Sequence, residues 1–154
     1  MAESGPAGSE IKATPVALRL PTRLGSEKAA MSAAAALATE MGFPGERIED
    51  LKTAVAEACI NAIEHGNRGN EKLFVEVVLQ ATGDVLEVKV IDEGAGVRKL
   101  PSKPEMGRKM RGEEEPRGMG IFLIQALVDE AEWVAAAEAK KSYIRLLIRL
   151  DKAT

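Results

Sequence analysis

Glu57 and Asn61 are polar residues four apart in an otherwise apolar, helix-forming run, Glu57-Ala58-Cys59-Ile60-Asn61-Ala62-Ile63-Glu64-His65-Gly66-Asn67. Four residues advance a helix by about 400°, which leaves the two side chains roughly 40° apart and one turn above the other. A carboxylate and a carboxamide stacked in that way can reach one metal–phosphate centre. The apolar stripe Ile48, Leu51, Val55, Ala58/Cys59 and Ala62 runs along another face, so the packing of the helix requires neither polar residue. The same spacing is common on solvated helix faces, and the rest of the chain must choose between the two readings.

A second candidate is Asp92. Leu86, Val88 and Val90 alternate with Glu87 and Lys89, and Asp92 continues the apolar series, which predicts that it points to the covered side of a strand. A carboxylate there needs a donor partner; the alternative is that the strand has ended and Asp92 opens a turn. Asp92-Glu93-Gly94-Ala95-Gly96 leads into a segment from Val97 to Arg117 with three prolines and many charges, too long for an ordinary connection. It is expected to be a lid, with plain disorder as the alternative. Its Lys99, Lys103, Arg108, Lys109 and Arg111 suit either phosphate or solvent. Arg117-Gly118-Met119-Gly120 then opens a helix through Ile121, Phe122, Leu123, Ala126, Leu127 and Val128, and exposed amides at a helix start form an anion site.

The elements that must position these groups are legible in the remaining patterns. Residues 1–14 have no periodicity and read as a disordered tail, with one domain over 15–151. Val16, Leu18 and Leu20 alternate between prolines, which predicts an edge strand. Ser26-Glu27 starts an alanine-rich helix ended by Gly42, and a second helix opens near Glu46 with acidic early turns and ends near His65-Gly66. Leu73, Val75, Val77 and Leu79, a turn at Thr82-Gly83-Asp84, and the Leu86 strand form an antiparallel hairpin. A short strand around Trp133 to Ala136 and a last strand carrying Ile144, Leu146, Ile148 and Leu150 close the chain.

The 154 residues suit one domain with a real core, and 21 basic against 24 acidic residues, a formal charge of −3, indicate neither nucleic acid nor anionic membrane as a partner. The single cysteine, Cys59, excludes an internal disulfide and a cysteine-based zinc site. With no signal-peptide pattern and no apolar run long enough to span a bilayer, a soluble cytoplasmic protein is expected.

There is no G-x-x-x-x-G-K-[ST] loop, and no G-x-G-x-x-G after the first strand. In their place stand Glu-x-x-x-Asn on a helix, Asp-x-Gly-x-Gly after a strand, a long loop, and Gly-x-Gly opening a helix. In this order and frame the chain resembles the Bergerat-fold (GHKL) ATPases, the superfamily of gyrase and the histidine kinases. The short length, Ala56 to Gly66 and Arg117-Gly118-Met119-Gly120-Ile121 make it similar to the anti-sigma-factor serine kinases of bacterial partner-switching systems, over roughly residues 14 to 150. The resemblance implies an α/β sandwich with a mixed, mainly antiparallel sheet, helices on one face and an ATP lid. It implies ATP and magnesium as cofactors, with Glu57 as general base and Asn61 on the metal. Asp92 would accept the adenine amino group, with Gly94 and Gly96 letting backbone approach the base. Arg117, Gly118, Met119 and Gly120 would sit at the triphosphate. His65 would touch phosphate or serve as a helix-end partner. Where the family often carries Gly-Thr in the last hairpin, this chain has Lys140-Lys141-Ser142-Tyr143. The implied function is an ATP-dependent anti-sigma factor that sequesters a sigma factor and phosphorylates a STAS-type anti-anti-sigma partner, as a homodimer. The alternatives are a nucleotide-sensing binding module without phosphoryl transfer and a histidine-kinase-like catalytic domain.

Overall fold

The computed structural model describes residues 14–94, 117–134 and 140–150, with main chain only at 117–119. Most of the tail and most of the segment expected to be a lid lie outside the described residues. Five strands form one sheet in the order β1-β2-β3-β5-β4: β1 (Val16–Pro21), β2 (Phe74–Thr82), β3 (Val85–Ile91), β4 (Glu130–Val134) and β5 (Tyr143–Arg149). All four pairings are antiparallel. β1 is at the edge, as its flanking prolines predict, and β5 is interior, one of the two placements its pattern allows, central or buried on one side.

The alternation becomes rows across the sheet. Leu79, Val88 and Leu146 share one row and Val77, Val90 and Ile144 the next, and all six are buried. The intervening residues Glu87, Lys89 and Arg145 are on the opposite, wetter face. Three helices cover the buried face: α1 (Glu27–Met41), α2 (Gly45–Asn61) and α3 (Arg117–Leu127). In α1 the buried residues are Ala30, Ala34 and Ala38, a small-residue seam that lets it lie close along α2, whose Leu51, Ala54, Val55 and Ala58 enter the same core. Gly42 ends α1 in the left-handed region, φ 96°, with its N–H on the Ala38 and Thr39 carbonyls. α3 packs across α2, which sets its first turn over the C-terminal half of that helix. No helix among the described residues is long and apolar enough to cross a membrane.

Candidate functional site

The helix expected to end at Gly66 does not finish as an α-helix. After Asn61 it widens into a π turn over Ala62–Gly66, closed by Asn67 N–H on the Ala62 carbonyl (2.7 Å) and Gly69 N–H on the Ile63 carbonyl (2.8 Å). An inserted residue in a helical turn re-aims the side chains beyond it, and such bulges concentrate at working sites. Here the α-helix delivers Glu57 and Asn61, and the π turn delivers His65, Gly66 and Asn67. His65 is half-buried in that turn.

Asn61 and Glu57 are both half-buried, one turn apart, as their spacing predicts. Asn61 Oδ1 is fully shielded and has no hydrogen-bond partner, alone in this among the buried side-chain polar atoms of the described residues. A buried carbonyl oxygen without a donor costs about 1–3 kcal/mol, so the position fits a hard cation as its missing partner. No cluster of three His, Cys, Asp or Glu side chains forms among the described residues. A magnesium ion held by one side-chain oxygen and by phosphate oxygens matches that donor set. Glu57 lies against the start of α3: a Cβ placed on Gly120 would come within 2.9 Å of its Oε1. The carboxylate and the helix-opening Gly-x-Gly, far apart in sequence, therefore share one spot.

The second half of the site forms around Asp92, one residue past the end of β3: it is 4% exposed, on the covered side as its parity predicts, and it also opens a turn, so each of the two readings of the sequence holds in part. Its N–H bonds the Ser142 carbonyl (3.1 Å), and its Oδ1 accepts the Gly94 N–H (2.9 Å). Ser142, which stands in the departing hairpin sequence, is fully buried next to it. A side chain on Gly66 would strike the Asp92 carboxylate, and one on Gly94 would strike the Gly66 carbonyl oxygen. Glycine at both positions is thus a requirement of contact, because strand end and π turn touch backbone to backbone. A cleft of about 530 Å³ opens beside this pair, from Gly66 and Asn67 to Glu93 and Gly94, a size suited to a small-molecule ligand.

The structure thus brings Glu57, Asn61, His65 and Gly120 to one end of α2 and its π turn, and Asp92 and Gly94 against that turn. Arg117, Gly118 and Met119 form the first turn of α3. Gly96 lies outside the described residues. Sequence reasoning missed Asn67, Glu93, Thr22 and Ser142, which support the site from beneath. Asn67 comes directly after the singled-out Gly66 and is 2% exposed, but a buried asparagine after a helix-ending glycine has no signature that separates it from a solvated turn. Cys59, on the opposite side of α2 from the polar pair, is buried, and that burial, then the charge of Glu27, pushes its thiol up to about 12. It is an inert core residue.

Residues 20–147 match the family model described as the histidine kinase-like ATPase domain. The serine-protein kinase RsbW of Listeria innocua is 37% identical over 100 residues, 62% of this chain and 64% of that protein. The chain thus spans just under two thirds of that relative. The anti-sigma F factor of Oceanobacillus iheyensis is 32% identical over 130 residues, 83% of this chain and 87% of that protein. A crystal structure of the RsbU and RsbW domains of a Mycobacterium tuberculosis protein superposes with a TM-score of 0.64 at 22% identity, covering 92% of this chain and 34% of that one. That likeness bears on the fold alone.

Proposed function

The chain belongs to the histidine kinase-like ATPase family, in the branch of anti-sigma factors and serine-protein kinases, and from that premise we propose that it is an ATP-dependent anti-sigma factor with serine/threonine kinase activity. In this reading it captures a sigma factor and phosphorylates a STAS-type anti-anti-sigma protein, working in the cytoplasm as a homodimer. The observation that carries the reading is Asn61 Oδ1, buried and without a donor, one turn beyond a carboxylate that lies against the start of α3.

Asp92 accepts the adenine amino group, and the flat base lies in the cleft beside the contact of Gly66 with Gly94. The amides that open α3, with Arg117, Gly118, Met119 and Gly120, receive the triphosphate, since a helix start offers unpaired N–H groups and the positive end of a dipole. His65, in the last turn before Asn67, would meet the same charge. Asn61 would hold magnesium together with phosphate oxygens, and the ion supplies charge neutralisation on the transferring group when bound. Glu57 takes the proton from the partner's hydroxyl as its oxygen bonds to the terminal phosphorus. The bond to the bridging oxygen breaks, and ADP leaves.

Radiolabelled phosphate transfer from ATP to a STAS protein, run beside a sigma-factor capture assay, tests this. Glu57→Ala should lower transfer by about 10²- to 10⁴-fold while leaving ATP binding and sigma capture in place. Asn61→Ala should weaken magnesium-dependent ATP binding itself. If the parent captures a sigma factor with ATP but labels no STAS partner, the binding-module reading replaces the kinase one. Sedimentation at tens of micromolar should give twice the 16.4 kDa chain mass; a single mass at the monomer value removes the homodimer.

A further inference from the structure

We propose that Asn67 is a positioning residue for base recognition, fixing the strand end from which Asp92 meets adenine; this rests on the reading of Asp92 given above. Asn67 is buried at 2% exposure and spends its whole carboxamide on structure. Its Oδ1 accepts the Glu93 N–H at 2.8 Å, and its Nδ2 donates to the Phe74 carbonyl at 3.0 Å and to Thr22 Oγ1 at 2.8 Å. The Thr22 hydroxyl donates onward to the Leu73 carbonyl at 2.8 Å. The Glu93 carboxylate in turn accepts the Phe74 N–H at 2.9 Å. One planar group therefore ties the end of β1, the start of β2 and the residue after Asp92 to the π turn.

Asp92 is what this arrangement holds still. The peptide preceding it is fixed by its N–H on the Ser142 carbonyl, and the peptide after it by the Glu93 N–H on Asn67. With both flanking peptides pinned and Oδ1 engaged by the Gly94 N–H, the carboxylate can neither rise from nor sink into the strand. The height matters because Gly66 and Gly94 already touch: a small lift of residues 92–94 would break that contact and shift the carboxylate relative to the cleft beside it. Only a carboxamide supplies an acceptor and two donors from a single group of this size; a carboxylate has no donor and an aliphatic side chain has neither. The π turn aims Asn67 inward by bonding its N–H back to Ala62.

The test separates positioning from folding. Calorimetry on the full chain with magnesium compares ATP with purine riboside triphosphate, which lacks only the amino group that Asp92 would accept. The parent should favour ATP by about tenfold or more. Asn67→Leu, or Asn67→Ser where the leucine variant does not fold, should lower ATP affinity by about tenfold and leave the analogue within about threefold, so that the preference collapses. Thr22→Val, which removes the far end of the same hydrogen-bond chain, should lower the melting temperature and keep the preference. A preference intact in the folded Asn67 variants, or lost equally in Thr22→Val, overturns the inference. A parent without preference overturns the Asp92 reading first and this inference with it. If neither Asn67 variant folds, hydrogen exchange at the Glu93 amide of the nucleotide-free parent decides. Protection supports the clamp, and exchange at the rate of an unstructured peptide refutes it.

Discussion

Among the described residues, two groups of charged and polar side chains are built on opposite terms. On the wet face of the sheet, Arg145 bonds Glu87 and lies 3.7 Å from Glu130 and 3.5 Å from Glu132, while Arg149 pairs with Glu130. There each of these acids has a base, and solvent reaches both. Around the π turn, glycine backbone comes up to the side chains: Glu57 lies against Gly120, Asp92 lies against Gly66 and Gly94, and Asn61 Oδ1 meets no donor. Counter-charges complete the first group internally, whereas the second leaves Asn61 Oδ1 without a donor. Hydrogen bonds do hold the second group in place, but they run beneath it through Asn67 and Glu93.

The largest effect that this contrast predicts is at the glycine contact. Gly94→Ala drives a methyl into the Gly66 carbonyl oxygen, and because neither partner is a flexible side-chain tip, ATP affinity measured by calorimetry should fall about 100-fold. Near-parent affinity would mean that the strand end is soft and the contact incidental. Asp92→Asn comes next. One carboxylate oxygen already receives the Gly94 N–H, so the substituted NH₂ must face either that N–H or the adenine amine, and a loss of roughly tenfold or more is expected.

The wet face should respond far less. Arg145→Met removes a half-exposed network and should cost roughly 0.5–1 kcal/mol in urea unfolding, with ATP affinity unchanged; a matching loss of affinity would join the two regions that the contrast separates. The hydrogen bond from Arg149, then its charge, holds the Glu130 carboxyl below the usual carboxylate range. A depressed carboxylate stabilises the fold above its unfolded pKa, and that contribution disappears as the pH falls through the folded value. Arg149→Met should therefore shallow the acid limb of the stability profile and leave neutral pH nearly untouched. Cys59 supplies the smallest effect near neutrality. Its thiol is raised from 9.0 to about 12, so the folded state binds the proton longer than the unfolded one, and stability present below pH 9 is lost as pH rises through 12. Cys59→Ala should flatten that limb, and thiol reagents should leave the native parent unmodified at neutral pH.

Side-chain period and residue chemistry made much of this legible from sequence. The alternation of Val75 to Leu79 and Leu86 to Val90 fixed a hairpin whose period carries Asp92, one residue past the strand, to the covered side. The i,i+4 spacing put Glu57 and Asn61 on one side of α2, and Gly42 ended α1 where a left-handed residue was needed. Helix and strand geometry are local, so a local pattern suffices for them. The contacts that make the site are long-range. That Gly120 reaches Glu57 depends on how α3 crosses α2, and that Gly66 must be glycine depends on a strand end far along the chain, at Asp92. The π turn is likewise invisible in Ala62-Ile63-Glu64-His65-Gly66, whose residues would continue an α-helix; it is held open by bonds that Asn67 and Gly69 make only with the chain already packed. Asn67 itself could have been a wet turn residue by every local measure. Burial against Thr22, Phe74 and Glu93 decided otherwise, because there the fold brings this carboxamide an acceptor for each donor and a donor for its oxygen.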